Sequence, residues 1–172
     1  MTDEEVRARE AIRRTQALYN AAGDRGRIAE LVGAFTDDGV LEVDQGVFRG
    51  KAAIAGFLGG VARTSGGGIS GGGISGGGVS GGAGADAGAG ARPAGRHFVR
   101  HNLTTCHIEL TGPATADART YFLVMTPIGV DHAGVYTDKF VARGPDWLIA
   151  YRRVRLDYVS PHTLMAASPA GA

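Results

Sequence analysis

Thr115-Ala116-Asp117-Ala118-Arg119-Thr120-Tyr121-Phe122-Leu123-Val124-Met125-Thr126 reads as one long strand, closed off by Thr111-Gly112-Pro113 before it and Pro127-Ile128-Gly129 after it. Three similar segments share this half of the chain: about Phe98 to Leu110, Gly134 to Ala142, and Trp147 to Tyr158. The break at Arg143-Gly144-Pro145-Asp146, like the other two, has the chemistry and length of a hairpin loop, so the segments form an antiparallel meander.

Upstream the period changes. From about Asp3 to Ala22, the residues Val6, Ala11, Ile12, Thr15, Leu18, Tyr19 and Ala22 recur at helical spacing among Arg and Glu. Thr2 followed by Glu5 has the form of a capping box, and Gly23, tolerant of left-handed geometry, is expected to end the helix. A shorter helix is expected over Arg27 to Phe35, broken by Asp37-Asp38-Gly39. Val40 to Val43 then reads as a strand, Asp44-Gln45-Gly46 as a turn, Val47-Phe48 as a short return, and Lys51 to Val61 as a third helix. Helices first and a meander of long strands afterwards is the order of a segregated α+β fold, with a strongly bent, mostly antiparallel sheet over the helices. Such a sheet leaves a concave interior.

Between them, residues 64–95 hold more than half of the chain's 29 glycines, as Ser-Gly-Gly-Gly-Ile repeats followed by Gly/Ala repeats. Glycine loses the most backbone entropy on ordering, and the few Ile and Val here bury too little to offset that loss, so a disordered, linker-like insert is expected. Its place before the sheet would let it cover the pocket mouth. The domain organisation is then a single domain over 1–160, interrupted by this insert, with 161–172 as a flexible tail. Gly68-Ile69-Ser70-Gly71-Gly72 and the repeats around Ser75 and Ser80 match a hydrolase nucleophile elbow by chance, because that turn needs a strand before it and a helix after it. The same objection removes any phosphate loop or dinucleotide fingerprint.

Charge and composition narrow the partners. With 18 basic and 17 acidic residues interspersed and a net charge of +1, no field favours nucleic acid or an anionic membrane surface. No apolar run reaches the roughly 18 residues of a membrane span, the N-terminus is acidic rather than basic, and Cys106 stands alone; the expected compartment is the cytoplasm. For metals, His97, His101 and His107 fall on one strand-like segment. Residues four apart on a strand are about 13 Å from each other, too far to share one zinc ion, and no metal site is assigned. Asp24 lies just past the first helix, whose negative pole favours a cationic or hydrogen-bonding neighbour such as histidine; capping of the second helix is its other reading.

Tyr19-Asn20-Ala21-Ala22-Gly23-Asp24-Arg25-Gly26, the run Leu31 to Asp38, and Phe48-Arg49-Gly50-Lys51-Ala52-Ala53-Ile54 resemble the opening of SnoaL-like proteins, members of the nuclear transport factor 2-like superfamily. Arg96-His97-Phe98-Val99, Ala118 to Val124, Gly134 to Asp138 and Trp147 to Val154 continue the likeness across nearly the whole chain outside the insert and tail. The resemblance implies a cone-shaped α+β barrel with an apolar pocket and homodimers or homotrimers formed across the sheet. Function varies across the superfamily, so the fold alone does not decide it. The branch with scytalone dehydratase, bile-acid dehydratase and a dehydrochlorinase carries an Asp–His dyad. Asp24 matches its aspartate, His97 its histidine, and Arg153 a pocket arginine of some members, with Arg152 and Arg155 as its close rivals and Tyr19 or Tyr121 as a hydrogen-bond donor.

The resemblance thus implies a cofactor-free lyase or isomerase, dehydratase-like, acting on a bulky hydrophobic small molecule. The catalytic candidates are Asp24, His97, Tyr19 and Arg153; Tyr121, Val99, Phe57 and Trp147 are the candidate substrate contacts. In that chemistry Asp24 fixes the tautomer of His97, whose Nε2 removes a proton from carbon. No acidic residue stands near Thr120 and Tyr121, where some dehydratases place one, which argues against a steroid-type substrate. Arg27 stands where a second acidic residue is usual after Asp24. Two other readings are a non-catalytic ligand-binding protein and a β-subunit-like partner of a ring-hydroxylating dioxygenase.

Overall fold

The computed structural model describes residues 1–64 and 98–165. Residues 65–95 of the expected glycine-rich insert, with its disorder and covering role, and His97 lie outside the described residues. Three helices, α1 (Asp3–Gly23), α2 (Ile28–Val32) and α3 (Gly50–Thr64), accompany six strands: β1 (Phe35–Val43), β2 (Gly46–Arg49), β3 (Arg100–Gly112), β4 (Thr115–Thr126), β5 (Gly129–Arg143) and β6 (Asp146–Val159). Among the described residues, none of the helices is long and apolar enough to cross a membrane.

The sheet runs in the order β2-β1-β6-β5-β4-β3 and does not close on itself. β3 to β6 are an antiparallel meander, while β1 joins the edge of β6 in parallel. The residues expected as a break, Asp37-Asp38-Gly39, lie inside β1, where the pairing with β6 slips between Phe35 and Val40. An irregularity takes up those polar residues without ending the strand. The second helix is correspondingly short, because Phe35 already belongs to the sheet.

Helix α1 starts with the expected capping box: the Thr2 hydroxyl accepts from the Glu5 amide, and the Glu5 carboxylate from that of Thr2. It does not end on a left-handed Gly23. Asp24 caps it in right-handed geometry, and the positive φ of 67° falls on Gly26. Gly23 serves packing instead, since a Cβ there would come within 3.2 Å of Leu31 on α2. The buried side of α1, with Ile12, Thr15, Gln16, Tyr19, Asn20 and Ala22, lies on the sheet, and the Thr15 hydroxyl donates 2.6 Å to the carbonyl of Trp147 on β6.

Along β4 every second residue is buried: Ala116, Ala118, Thr120, Phe122, Val124 and Thr126 form the inner face. Their partners on β5, namely Phe140, Asp138, Tyr136, Gly134 and His132, continue it. On β6 the alternation slips. Phe140 pairs with Ile149 and Lys139 with Tyr151, so Ala150 is an extra residue and Arg152, not Arg153, follows Ile149 onto the inner face.

Candidate functional site

The inner face gathers polar side chains against an aromatic wall. Asp24 is held at the C-terminal end of α1, and His101 is the second residue of β3, opposite Val124. The Asp24 carboxylate accepts the His101 backbone N–H at 3.1 and 3.2 Å and the ring Nδ1–H at 2.6 Å. A carboxylate that accepts from Nδ1 leaves Nε2 as the free ring nitrogen. Asp24 does not cap α2, whose N-cap, Arg27, has no side-chain cap bond. Asp24, expected to meet His97, which lies outside the described residues, pairs with His101, four residues further on.

Deeper inside, Arg152 lies with its guanidinium 4.3 Å from the ring centre of Tyr19 and 4.1 Å from that of Tyr136. Its Nε and Nη2 donate to the two oxygens of Asp138 at 2.8 and 2.7 Å, both residues being fully buried. Its Nη1 is buried and has no partner among the described residues. Burial works to lower the Arg152 pKa, but the charge and hydrogen bonds of Asp138 outweigh it, so the guanidinium stays cationic. Burial pushes the Tyr19 phenol up against the opposing charge of Arg152, and the Tyr136 phenol well up. Tyr136 donates 3.3 Å to Asn20 and stacks on Phe122, which in turn sits 6.3 Å from the His101 ring.

The candidates read from sequence divide across the sheet. Tyr19 and Asp24 belong to the inner cluster. Trp147 is buried at the start of β6, and Val99 packs half-buried against the core just before β3. Phe57 stacks on Phe48 of β2 at 4.1 Å, on the edge strand opposite β3 in the sheet order. Two candidates face away. Tyr121 is 44% exposed between the inward Thr120 and Phe122, and Arg153 is 58% exposed beside Glu42. Strand alternation turns Tyr121 outward, and the bulge at Ala150 does the same to Arg153.

Sequence reading preferred Arg153 to its rivals Arg152 and Arg155, passed over Asp138, His101 and His132 as site residues, and treated Tyr136 as packing. The period-two pattern through Thr120 and Phe122, carried across a hairpin, would have found Tyr136 and Asp138. Nothing local marks the slip that turns Arg152 inward. Among the described residues, no group of three or more His, Cys, Asp or Glu converges as a metal site.

Solved structures share this fold. A putative scytalone dehydratase from Novosphingobium aromaticivorans superposes with a TM-score of 0.68 at 18% identity, over 100% of this chain and 99% of its own. The hexachlorocyclohexane dehydrochlorinase LinA-type3 from Novosphingobium barchaimii gives 0.66 at 16% identity over 97% and 98%. A Mycobacterium tuberculosis protein of unknown function gives 0.66 at 24% identity over 99% and 83%. These likenesses show the fold, an α+β cone of the expected kind. No curated protein matches the sequence. The model of the SnoaL-like domain matches residues 4–153, and the chain belongs to that family.

Proposed function

We propose that the protein is a cofactor-free lyase or isomerase that removes a proton from carbon in a bulky, largely apolar small molecule, with His101 as the base. The observation that carries this reading is the Asp24–His101 pair on the inner face. Asp24 holds the Nδ1–H, orients the ring and stabilises the imidazolium that forms when Nε2 takes the proton. Arg152, buried behind the aromatic wall and held cationic by Asp138, supplies a fixed positive charge that favours the negative charge developing on the substrate or leaving group. Phe122, Tyr19 and Tyr136 form the aromatic wall. The solved dehydratase-like and dehydrochlorinase structures support the same class of chemistry by fold. We place the protein in the cytoplasm as a homodimer or homotrimer.

The experiment has two parts. Low-field proton NMR should give an imidazole N–H resonance assigned to His101 Nδ1 that disappears in Asp24→Ala. A panel of β-hydroxy ketones, halogenated rings and enolisable ring ketones is then assayed for dehydration, dehydrohalogenation and isomerisation. His101→Ala should lower turnover of an active substrate by about 10²–10⁴-fold, the usual contribution of a positioned base. Undiminished turnover in folded His101→Ala would sink the proposal.

A further inference from the structure

A second aspartate–histidine pair stands on the same inner face. His132, on β5, pairs across to Val124, the residue that faces His101 from the other side. Its ring centre lies 6.3 Å from those of both His101 and Phe122, edge-on to each. Its Nδ1 is 2.8 Å from Asp131 Oδ1. Asp131 is 1% exposed and also accepts from the hydroxyls of Thr163 at 2.6 Å and Thr126 at 3.3 Å, and from the Leu164 amide at 2.7 Å. With that many donors pointing at it, Asp131 is an acceptor, so Nδ1 of His132 carries the proton. Nε2 makes no other bond among the described residues.

We propose that His132 is the second polar contact of the site, its Nε2 accepting a hydrogen bond from a substrate hydroxyl. The inference rests on the reading of His101 as base, and it defines the substrate class: a ring compound with a hydroxyl close to the carbon that loses its proton. Burial lowers the His132 pKa most, and the neighbouring His101 lowers it further against the raising effect of Asp131. The ring is therefore neutral and an acceptor at neutral pH. The ionisable groups around it are Asp131 on its own strand, His101 from β3 and, behind His101, Asp24 from α1. β4 presents Phe122 and Val124, and β6 presents Val159 across the ladder.

The same geometry gives a role to residues 161–165, at the start of the segment expected as a flexible tail. Thr163 and Leu164 grip Asp131, and Ser160 donates its amide to the Asp131 carbonyl at 2.7 Å. The C-terminal segment positions His132 through that aspartate.

The test uses the full chain and two probes of one shape, 4-chlorophenol and chlorobenzene, with binding measured by NMR titration. A single hydrogen bond to a neutral acceptor should favour the phenol by about fivefold. His132→Phe should erase that preference, and Thr163→Val should reduce it while shifting the His132 ring nitrogen signals. Nitrogen-15 spectra of the unaltered protein at pH 7.5 should show neutral His132 protonated on Nδ1, a measurement that stands even if His132→Phe fails to fold. An Nε2-protonated or cationic His132, phenol that does not bind, or a preference that survives His132→Phe but vanishes in His101→Phe would each overturn the proposal. Loss of turnover is not the readout, so failure of His101 as base and failure of His132 as acceptor are distinguishable.

Discussion

Arg152 and Arg153 are neighbours on one strand, yet one is fully buried between two tyrosine rings and the other is 58% exposed beside Glu42. The inner face spends its polar groups in pairs: Arg152 on Asp138, His101 on Asp24, His132 on Asp131. Among the described residues, each pair leaves one nitrogen without a partner, Nη1 of the buried arginine and Nε2 of each histidine. The outer face has charges too, but they meet water, and their pairing does little. What a charged side chain does here is decided by the side of the sheet it occupies, and on β6 one inserted residue decides that.

The comparison is broken most forcefully at the buried pair. Arg152→Met leaves the Asp138 carboxylate buried without its bidentate partner, and the expected loss is about 3–5 kcal/mol of unfolding free energy. The double variant Arg152→Met/Asp138→Leu should recover most of that, because the cost lies in the orphaned charge rather than in the missing pair. Urea unfolding of the three proteins measures both. A single variant as stable as the unaltered chain would mean that Asp138 reaches water.

Gly134 tests how tightly the inner face is built. It lies on β5 opposite Phe122, at a slip in the pairing with β6, and a Cβ there would sit 2.1 Å from the carbonyl oxygen of Arg155. Backbone cannot yield as a flexible side chain does, so Gly134→Ala should cost at least the 1–3 kcal/mol or so typical of overpacking, seen as a lower urea midpoint.

Acid should act on the inner face before it acts on the outer one. The folded state holds His132 below its ordinary 6.5, so the neutral ring contributes stability above that value, and the contribution is lost as pH falls through the lowered one. Asp131 follows in a more acidic window. Burial would raise its pKa, but the bonds from Thr163, His132 and Leu164 outweigh burial and hold it below 3.8. Its stabilisation is complete above that value and lost below. Unfolding free energy measured from pH 7.5 down to 5 should therefore decline, and His132→Phe should flatten the part of the decline that belongs to the ring. An identical slope in both proteins would mean that His132 titrates alike folded and unfolded.

Much of this arrangement was legible beforehand. β4 was readable to the residue, since Gly and Pro bound it on both sides, and the capping box at Thr2 and Glu5 is a local device with a local signature. Asp24 was singled out by the family resemblance, with the negative pole of α1 favouring a histidine beside it, and the structure pairs it with one. Its partner was not legible: the start of β3 depends on long-range pairing with β4, so His97 and His101 cannot be told apart by spacing. The tie between Asp131 and Thr163 spans 32 residues and has no periodic trace at all.

The smallest effect sharpens the comparison most. Arg153 lies 3.4 Å from Glu42, whose other oxygen already accepts from Tyr151 at 2.6 Å. An exposed pair of this kind is worth about 0–1 kcal/mol, so Arg153→Met should leave unfolding nearly unchanged. It should equally leave turnover of any substrate found for the unaltered protein within about twofold, because the outer face does not touch the site. Arg152→Lys, which keeps the charge but cannot reproduce the two-pronged bond to Asp138 or the planar fit between the two tyrosine rings, should lower turnover sharply. If the two variants behaved the other way round, β6 would have to run without its bulge at Ala150, and the inner face would be built from the other set of side chains.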